Sequence, residues 1–227
     1  VLLNFCLHFS SIIFLYFSLN ALKISRILSI MTTIGFALYF PLYQTLPQIM
    51  SEAITTFSFS GITYFAVRII QHKSTWNLVL LGFFLALLMT IRALAPYAII
   101  ATLVLLLVFK IERKNLKSIS KSMLFAFLLC TPYLMYTHTK TGNFFYWTSQ
   151  GGSAMYFMTS PHKGDLGDWL GNLDFEVNPS KQYNTDAENR RFHKVRNHLS
   201  TIKRVEKLNV FEEDKILKEL AFNNIKK

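Results

Sequence analysis

Long apolar segments recur along residues 1–136, and short polar connections separate them. A run of about 20 apolar residues with few charges is typical of a helix that crosses a lipid bilayer. The pattern predicts six such spans: Leu2–Leu22, Ile27–Leu46, Glu52–Ile70, Trp76–Ile91, Pro96–Phe109 and Ser122–Tyr136. The predicted fold class is therefore an all-α membrane protein, whose first domain is a multi-pass helical domain over residues 1–136.

A different pattern begins after the sixth predicted span and fills residues 137–227, the second predicted domain. Its first half is rich in aromatic, Gly, Ser and Pro residues, which indicates loops with short strand-like or helical pieces. Apolar residues then recur at spacings of three and four over 186–207, which predicts an amphipathic helix. Asn209 and Glu212 have the spacing of a capping box and predict a second helix that extends through Ile225. These helices either pack on each other or lie on the membrane surface.

The chain is also positively charged, because its 227 residues include 24 Lys and Arg but only 13 Asp and Glu. Nine of the cations lie in three alternate connections between the predicted spans: Lys23, Arg26, Arg68, Lys73, Lys110, Arg113, Lys114, Lys117 and Lys121. Cytoplasmic loops are enriched in Lys and Arg, so these connections are predicted to be cytoplasmic and the tail exterior. In a bacterium the tail is then periplasmic. Few net charges remain for the tail, so the main argument for nucleic-acid binding is lost.

Two charged residues stand out near the predicted exterior ends of spans. Glu52 opens the third span, and Arg92 closes the fourth against the positive-inside trend. A guanidinium at an interface can bind a phosphate through two parallel hydrogen bonds. It can equally pair with Glu52 or extend to lipid headgroups, and Glu52 can equally be a favourable charge at a helix start. Both interpretations stay open.

Further candidates follow the sixth span. His138 and Lys140 are either anchors at the interface or contacts for an anionic headgroup or a lipid phosphate. The aromatic residues beyond them, Tyr156 among them, form either an interfacial belt or a stacking surface for a sugar. The two cysteines, Cys6 and Cys130, lie in apolar segments and have no metal-ligand spacing. No metal site and no cofactor are predicted, and a requirement for a divalent metal is left open.

Four segments, in order, resemble a family of membrane enzymes. Pro47–Glu52 resembles the "P…SE" start of a membrane helix in bacterial relatives of dolichyl-phosphate-mannose protein mannosyltransferases. Leu80–Arg92 resembles that family's "GxxxGLxxLTRP" helix, and Gly142–Gly152 resembles its "GxFVxxSTNGG" segment. Ser160–Pro161 stands where a "GNxP"-like turn is common. The family is the GT-C class of integral-membrane glycosyltransferases.

The resemblance implies inverting transfer of a sugar from a polyprenyl-phosphate donor on the outer face of the membrane. Lipid A, other cell-envelope glycans and proteins are acceptors in the family. The candidate substrate-binding residues are Glu52, Arg92, His138, Lys140, Gln150 and Tyr156. The family's usual base is an aspartate in its first outer loop, for which this chain has no counterpart, so the catalytic residue is left unknown. We therefore expect a fragment that is inactive alone.

The chain also departs from the family's pattern. Ala93 stands where Pro often follows the Arg, Ala86–Leu87 replaces the second Gly of the helix motif, and Gln150 replaces a frequent Asn. Two other functions stay open: a multi-pass transporter or flippase, and a non-enzymatic membrane assembly protein. A transporter would need broken helices or paired repeats, and the sequence contains neither signal. Walker-type, Gly-x-Ser-x-Gly and His-Glu-x-x-His motifs do not occur, so nucleotide-driven pumps and soluble-type hydrolases lack support.

Overall fold

The computed structural model of the chain describes residues 2–39, 51–72, 74–108, 113–162, 197–205 and 207–226. Over these residues the chain is helical with connecting turns, and it contains no β-strand. This confirms the all-α class for the described residues. The chain divides into two compact units, Val1–Met135 and Tyr136–Lys227.

Nine helices occupy the described residues. Six precede the second unit or lead into it: α1 Leu2–Ala21, α2 Arg26–Ala37, α3 Glu52–Gln71, α4 Thr75–Ile91, α5 Ala95–Val108 and α6 Arg113–Thr141. Three follow: α7 Gly151–Met158, α8 over 197–205 and α9 Val210–Ile225. Each predicted span coincides with one of α1 to α6, and for α1, α3, α4 and α5 the bounds agree within one residue. Residues 40–46 of the second predicted span lie outside the described residues.

Three helices are long and apolar enough to cross a membrane, judged by length and composition. They are α1, α3 and the part Leu116–Thr141 of α6. The other apolar helices, α2, α4 and α5, have 12, 17 and 14 residues. With a rise of about 1.5 Å per residue, all three fall short of the ~30 Å hydrocarbon core. The described residues therefore contain three candidate spans, fewer than the six predicted.

Helix α4 contributes many of the buried residues of the first unit's core. Its buried residues are Leu81, Gly82, Phe84, Leu85, Ala86, Leu88 and Met89. The Phe84 ring contacts Phe14 of α1 and Phe57 and Phe65 of α3, with ring centroids 5.1 to 5.6 Å apart. A helix that is apolar on every side fits a position that neighbours cover. Aromatic packing around Phe84 thus holds α1, α3 and α4 together.

Two glycines bring helices of the first unit close together. Gly61 of α3 faces the ring of Phe84, and Gly82 of α4 faces α6. A Cβ atom on Gly82 would lie 2.7 Å from Phe125 Cδ1 and 2.8 Å from the Ser122 carbonyl oxygen. Small residues at such contacts let membrane helices approach closely. The α3–α4 and α4–α6 contacts therefore depend on the absence of a side chain at these two positions.

Hydroxyl groups inside the apolar helices have partners within their own helix. Ser11 and Ser18 of α1 and Ser58 of α3 each donate to the carbonyl oxygen four residues earlier, at 2.7 to 2.8 Å. This bond satisfies a polar group without water, which an apolar environment requires. The side-chain amide of Gln71 also donates to the carbonyl of Ala21, and so links the end of α3 to the end of α1.

The second unit has its own apolar core. Its buried members, from α7, α8 and α9, are Tyr156, Phe157, Val205, Leu217 and Ala221. At the start of α9 the Asn209 side chain accepts hydrogen bonds from the backbone N–H groups of Phe211 and Glu212, and Glu212 accepts one from Asn209. The predicted capping box and the predicted helix end at Ile225 are confirmed. Of the amphipathic helix predicted over 186–207, residues 197–205 are helical, and 186–196 and 206 lie outside the described residues.

Candidate functional site

Glu52 and Arg92 form an ion pair in the first unit. Glu52 is the first residue of α3, and Arg92 is the residue that ends α4. Arg92 Nη2 donates to Glu52 Oε1 at 3.1 Å, and Arg92 Nε donates to Thr55 Oγ1 at 2.9 Å. The Thr55 hydroxyl in turn donates to the Ser51 carbonyl at 2.7 Å. Two groups from the first turn of α3 therefore hold the guanidinium at the end of α4.

The pair keeps unused hydrogen-bonding capacity. A guanidinium has five N–H donors, and Arg92 uses two of them with the residues that the structure describes. The side chain of Arg92 is 42% exposed, and that of Glu52 is 36% exposed. The second carboxylate oxygen of Glu52 is buried and has no hydrogen-bond partner among the described residues. A fixed, half-exposed guanidinium with free donors is suited to a phosphate oxyanion.

A buried carboxylate organises the second unit. Asp214 of α9 is 1% exposed and accepts three hydrogen bonds. The donors are the Tyr146 hydroxyl at 2.6 Å, the Gly152 backbone N–H at 2.5 Å and the Lys218 ammonium at 2.7 Å. A buried carboxylate is stable only when paired and hydrogen-bonded, and these donors supply both. Asp214 thus fixes α9 to the start of α7 and to the loop before it.

A cavity of about 540 Å³ lies beside this carboxylate, wholly within the second unit. Its wall comes from the end of α6, the loop that follows, and the start of α9 from its N-cap Asn209 to Lys218. The lysines of the wall are Lys140, Lys215 and Lys218. Lys218 Nζ also lies 5.1 Å from the centre of the Tyr146 ring, a cation–π contact. The cavity wall therefore carries three lysines, the two carboxylates Glu212 and Asp214, and aromatic surface.

Tyr156, a predicted substrate contact, is 7% exposed in the core of the second unit. Its hydroxyl lies 2.9 Å from Nδ1 of the buried His198 and 3.0 Å from Thr201 Oγ1. The ring also packs against Phe157 and His198. In this structure the Tyr156 ring is covered by protein, and its hydroxyl joins α7 to α8.

The other predicted site residues of the second unit are exposed. His138 lies in the last turn of α6, with its ring 5.8 Å from that of Phe144. Gln150 caps the start of α7 without a side-chain capping bond. Lys140 lines the cavity, whereas His138, Gln150 and Tyr156 do not. The structure thus brings Glu52 and Arg92 together, and it does not gather the second-unit candidates into one cluster.

The sequence-based candidates did not include Asp214, Lys215 or Lys218. The spacing of Asp214 and Lys218, four apart on a predicted helix, is a signal for an ion pair. The sequence carries no such signal for the burial of Asp214, because the groups that cover it, Tyr146 and Gly152, lie 68 and 62 residues away. Among the described residues, no three His, Cys, Asp or Glu side chains are grouped so that they could hold a metal ion.

No protein-family model matches this chain, and neither a curated protein nor a solved structure matches it.

Proposed function

We propose that the chain belongs to an integral-membrane glycosyltransferase of the GT-C class. The enzyme would transfer a sugar from a polyprenyl-phosphate donor to a cell-envelope acceptor, on the outer face of the bacterial inner membrane. The observation that carries this proposal is the ion pair of Glu52 with Arg92. These residues occupy the Glu of the "SE" segment and the Arg of the "LTR" segment, two of the motifs that resemble the family. Two motif residues 40 positions apart meet in one hydrogen-bonded pair, which supports a shared role.

The proposal includes six membrane crossings, with α2, α4 and α5 crossing as shorter spans. Support comes from charge, because nine cations lie between the six apolar segments of the sequence, in alternate connections. Burial also supports a crossing by α4. Neighbouring helices cover most of α4, so its short length does not have to match the thickness of the lipid by itself. With six crossings, the ends of α3 and α4 that carry Glu52 and Arg92 lie on the exterior side.

The proposed chemistry is a displacement at the anomeric carbon of the donor. The acceptor oxygen forms a bond to that carbon, the bond from the carbon to the phosphate oxygen breaks, and polyprenyl phosphate leaves with the electron pair. The acceptor proton passes to a base that is not assigned among the described residues. The Arg92 guanidinium binds the phosphate and stabilises the negative charge that grows on it.

Glu52 and Thr55 have a positioning role in this scheme. Their oxygens accept from two different nitrogens of Arg92, so the plane of the guanidinium is fixed before the donor binds. A charged group that is already oriented stabilises the developing charge without a cost of reorganisation. His138, Lys140 and Gln150 remain candidates for contact with either substrate, because their side chains are exposed.

A transfer assay tests the proposal. Membranes from cells that express the gene's whole reading frame are incubated with a polyprenyl-phosphate sugar that carries a radiolabel in the sugar. We expect label to appear in envelope glycan, lipid or protein, together with released polyprenyl phosphate, at a rate above that of membranes without the protein. Counterflow of a labelled solute in proteoliposomes, without any transfer of label, would instead favour a transporter or flippase.

A further inference from the structure

Two histidine rings are in contact in the second unit, away from the wall of its cavity. His198 belongs to α8 and is 1% exposed, whereas His162 follows the end of α7 and is half-buried. Their ring centroids lie 5.3 Å apart, and the rings are nearly perpendicular, at 86°. Imidazole is the side chain that ordinarily changes charge between about pH 5 and about pH 8. The contact is therefore a place where a modest change of pH alters the charge inside the fold.

The His198 ring joins α8 to α7. Its centroid lies 5.2 Å from that of Tyr156 and 5.3 Å from that of Phe157, both in edge contacts. Its Nδ1 atom lies 2.9 Å from the Tyr156 hydroxyl, which in turn lies 3.0 Å from Thr201 Oγ1. The position of α8 on α7 thus depends on an imidazole packed among aromatic rings.

The structure describes contacts of His198 with two ionisable side chains, Tyr156 and His162, and neither supplies a negative charge at neutral pH. Helix α7 has no other ionisable residue, and Lys203 and Arg204 of α8 are exposed. Helix α9 shares the core through Leu217 and Ala221, and its buried carboxylate, Asp214, is held by its own three donors. The other charged residues of α9 are exposed or half-buried: Glu212, Glu213, Lys215, Lys218, Glu219 and Lys226.

A positive charge on His198 is disfavoured at this position. A buried charge is costly unless it is paired, and a second charge on His162 would add repulsion between the two rings. Once α8 separates from α7, both imidazoles reach water and take up protons. The packed form then binds fewer protons than the separated form. Its stability is therefore complete above about pH 6.5 and is lost progressively as the pH falls below that value.

We propose that the contact of His162 with His198 is a pH-sensitive joint between α7 and α8. At neutral pH the uncharged rings pack together, and Tyr156 links His198 to Thr201. Acidification favours separation of α8 from α7, because the separated form takes up protons. Separation exposes the Tyr156 ring, which is 7% exposed in the packed form. The inference concerns the second unit and does not depend on sugar transfer.

Hydrogen exchange of the full chain in phosphatidylcholine nanodiscs tests the joint. The readout is the protection of the α8 amides, corrected for the pH dependence of intrinsic exchange. We expect this protection to fall about tenfold between about pH 7.5 and about pH 5.5, because uptake of one proton on opening shifts the equilibrium about tenfold per pH unit below about 6.5. In His198→Phe, which keeps an aromatic ring in the same place, the change should be less than about twofold. His72→Gln alters an exposed histidine at the end of α3, so this matched control should respond like the parent chain.

A second measurement applies if His198→Phe does not fold. Carbon-13 NMR of labelled histidine rings in the parent chain reports the charge of each ring, and His162→Gln helps to assign the His198 signal. We expect the His198 signal of the packed form to keep the chemical shift of a neutral ring down to about pH 5.5, where free histidine in the same buffer is charged.

The tenfold response, with its loss in His198→Phe or a His198 ring that stays neutral, supports the proposal. Three results overturn it: equal protection of α8 at the two pH values, a parental response in a folded His198→Phe variant, or a charged His198 ring while α8 stays protected.

Discussion

Arg92 Nη2 lies 3.1 Å from Glu52 Oε1, and this ion pair joins the last residue of one helix hairpin to its first. Glu52 starts α3 and Arg92 ends α4, so the antiparallel pair of helices is closed at one end by opposite charges. Both side chains remain more than a third exposed. An ion pair with this exposure to solvent contributes little to the stability of the fold. The exposed guanidinium also remains accessible to a ligand.

The first prediction concerns the energy of this pair. A double-mutant cycle with Glu52→Gln and Arg92→Gln should give a coupling energy of about 0–1 kcal/mol in the free energy of unfolding, because solvent screens the charges. Equilibrium unfolding in mixed micelles measures it. A coupling energy of about 3 kcal/mol or more would mean that the pair mainly holds the fold together.

The second prediction concerns the membrane arrangement. In a background with Cys6→Ser and Cys130→Ala, a membrane-impermeant maleimide applied to intact cells should label Asn143→Cys and leave Ser74→Cys unlabelled. Six crossings that begin with an exterior N-terminus put the loop after α6 outside and the α3–α4 connection inside. If only α1, α3 and α6 cross and the connection after α1 is cytoplasmic, the two positions exchange sides, and the labelling pattern reverses.

The third prediction concerns the glycine contacts of the first unit. Gly82→Ala should lower the free energy of unfolding by about 2 kcal/mol, because its Cβ atom would meet Phe125 and the Ser122 carbonyl. Gly35→Ala in α2 is the control, since its Cβ atom would meet nothing within 4 Å. That change should be neutral or stabilising by up to about 1 kcal/mol, because Ala favours helix over Gly. Equal effects of the two substitutions would show that α4 and α6 do not pack as described.

The fourth prediction concerns the buried carboxylate of the second unit. Asp214→Asn should cost about 3 kcal/mol, because it removes the charge that binds Lys218 and replaces one of the two oxygens that accept from Tyr146 and Gly152 with an NH2 donor. Protection of the α7 and α9 amides against hydrogen exchange measures the loss. Glu219→Gln, an exposed change on the same helix, should stay within about 0.5 kcal/mol. Unchanged protection in the Asp214 variant would remove its assigned role.

Hydrophobic pattern alone predicted most helix positions in the first unit. The bounds of α1, α3, α4 and α5 follow from it because an apolar run ends where the connections become polar or turn. Helix α6 is longer than predicted, Arg113–Thr141 instead of Ser122–Tyr136. Lysines and serines continue a helix beyond its apolar part, and a search for apolar runs does not detect them. An apolar run alone does not show that a helix is long enough to cross a membrane, since α2 and α5 are helical but have only 12 and 14 residues.

Local signals also predicted the start of α9, since a capping box needs only Asn209 and Glu212 in one turn. The candidate sites were harder to predict. The pairing of Glu52 with Arg92 was one of the open alternatives, because Glu52 opens the third predicted span and Arg92 closes the fourth, both at the predicted exterior side. Burial of Asp214 depends on groups more than 60 residues away. Single-sequence patterns do not contain contacts of that range, so the cavity was not predicted.

The most direct test of the central claim is the rate of sugar transfer with Arg92 changed. Membranes carrying the gene's whole reading frame are assayed with a labelled polyprenyl-phosphate sugar, for the parent protein, Arg92→Ala and the control Arg68→Ala in the last turn of α3. We expect transfer by the parent protein, a loss of about a hundredfold or more in Arg92→Ala, and a near-parental rate in Arg68→Ala. No transfer by the parent protein, or a parental rate in a folded Arg92→Ala variant, would contradict the account.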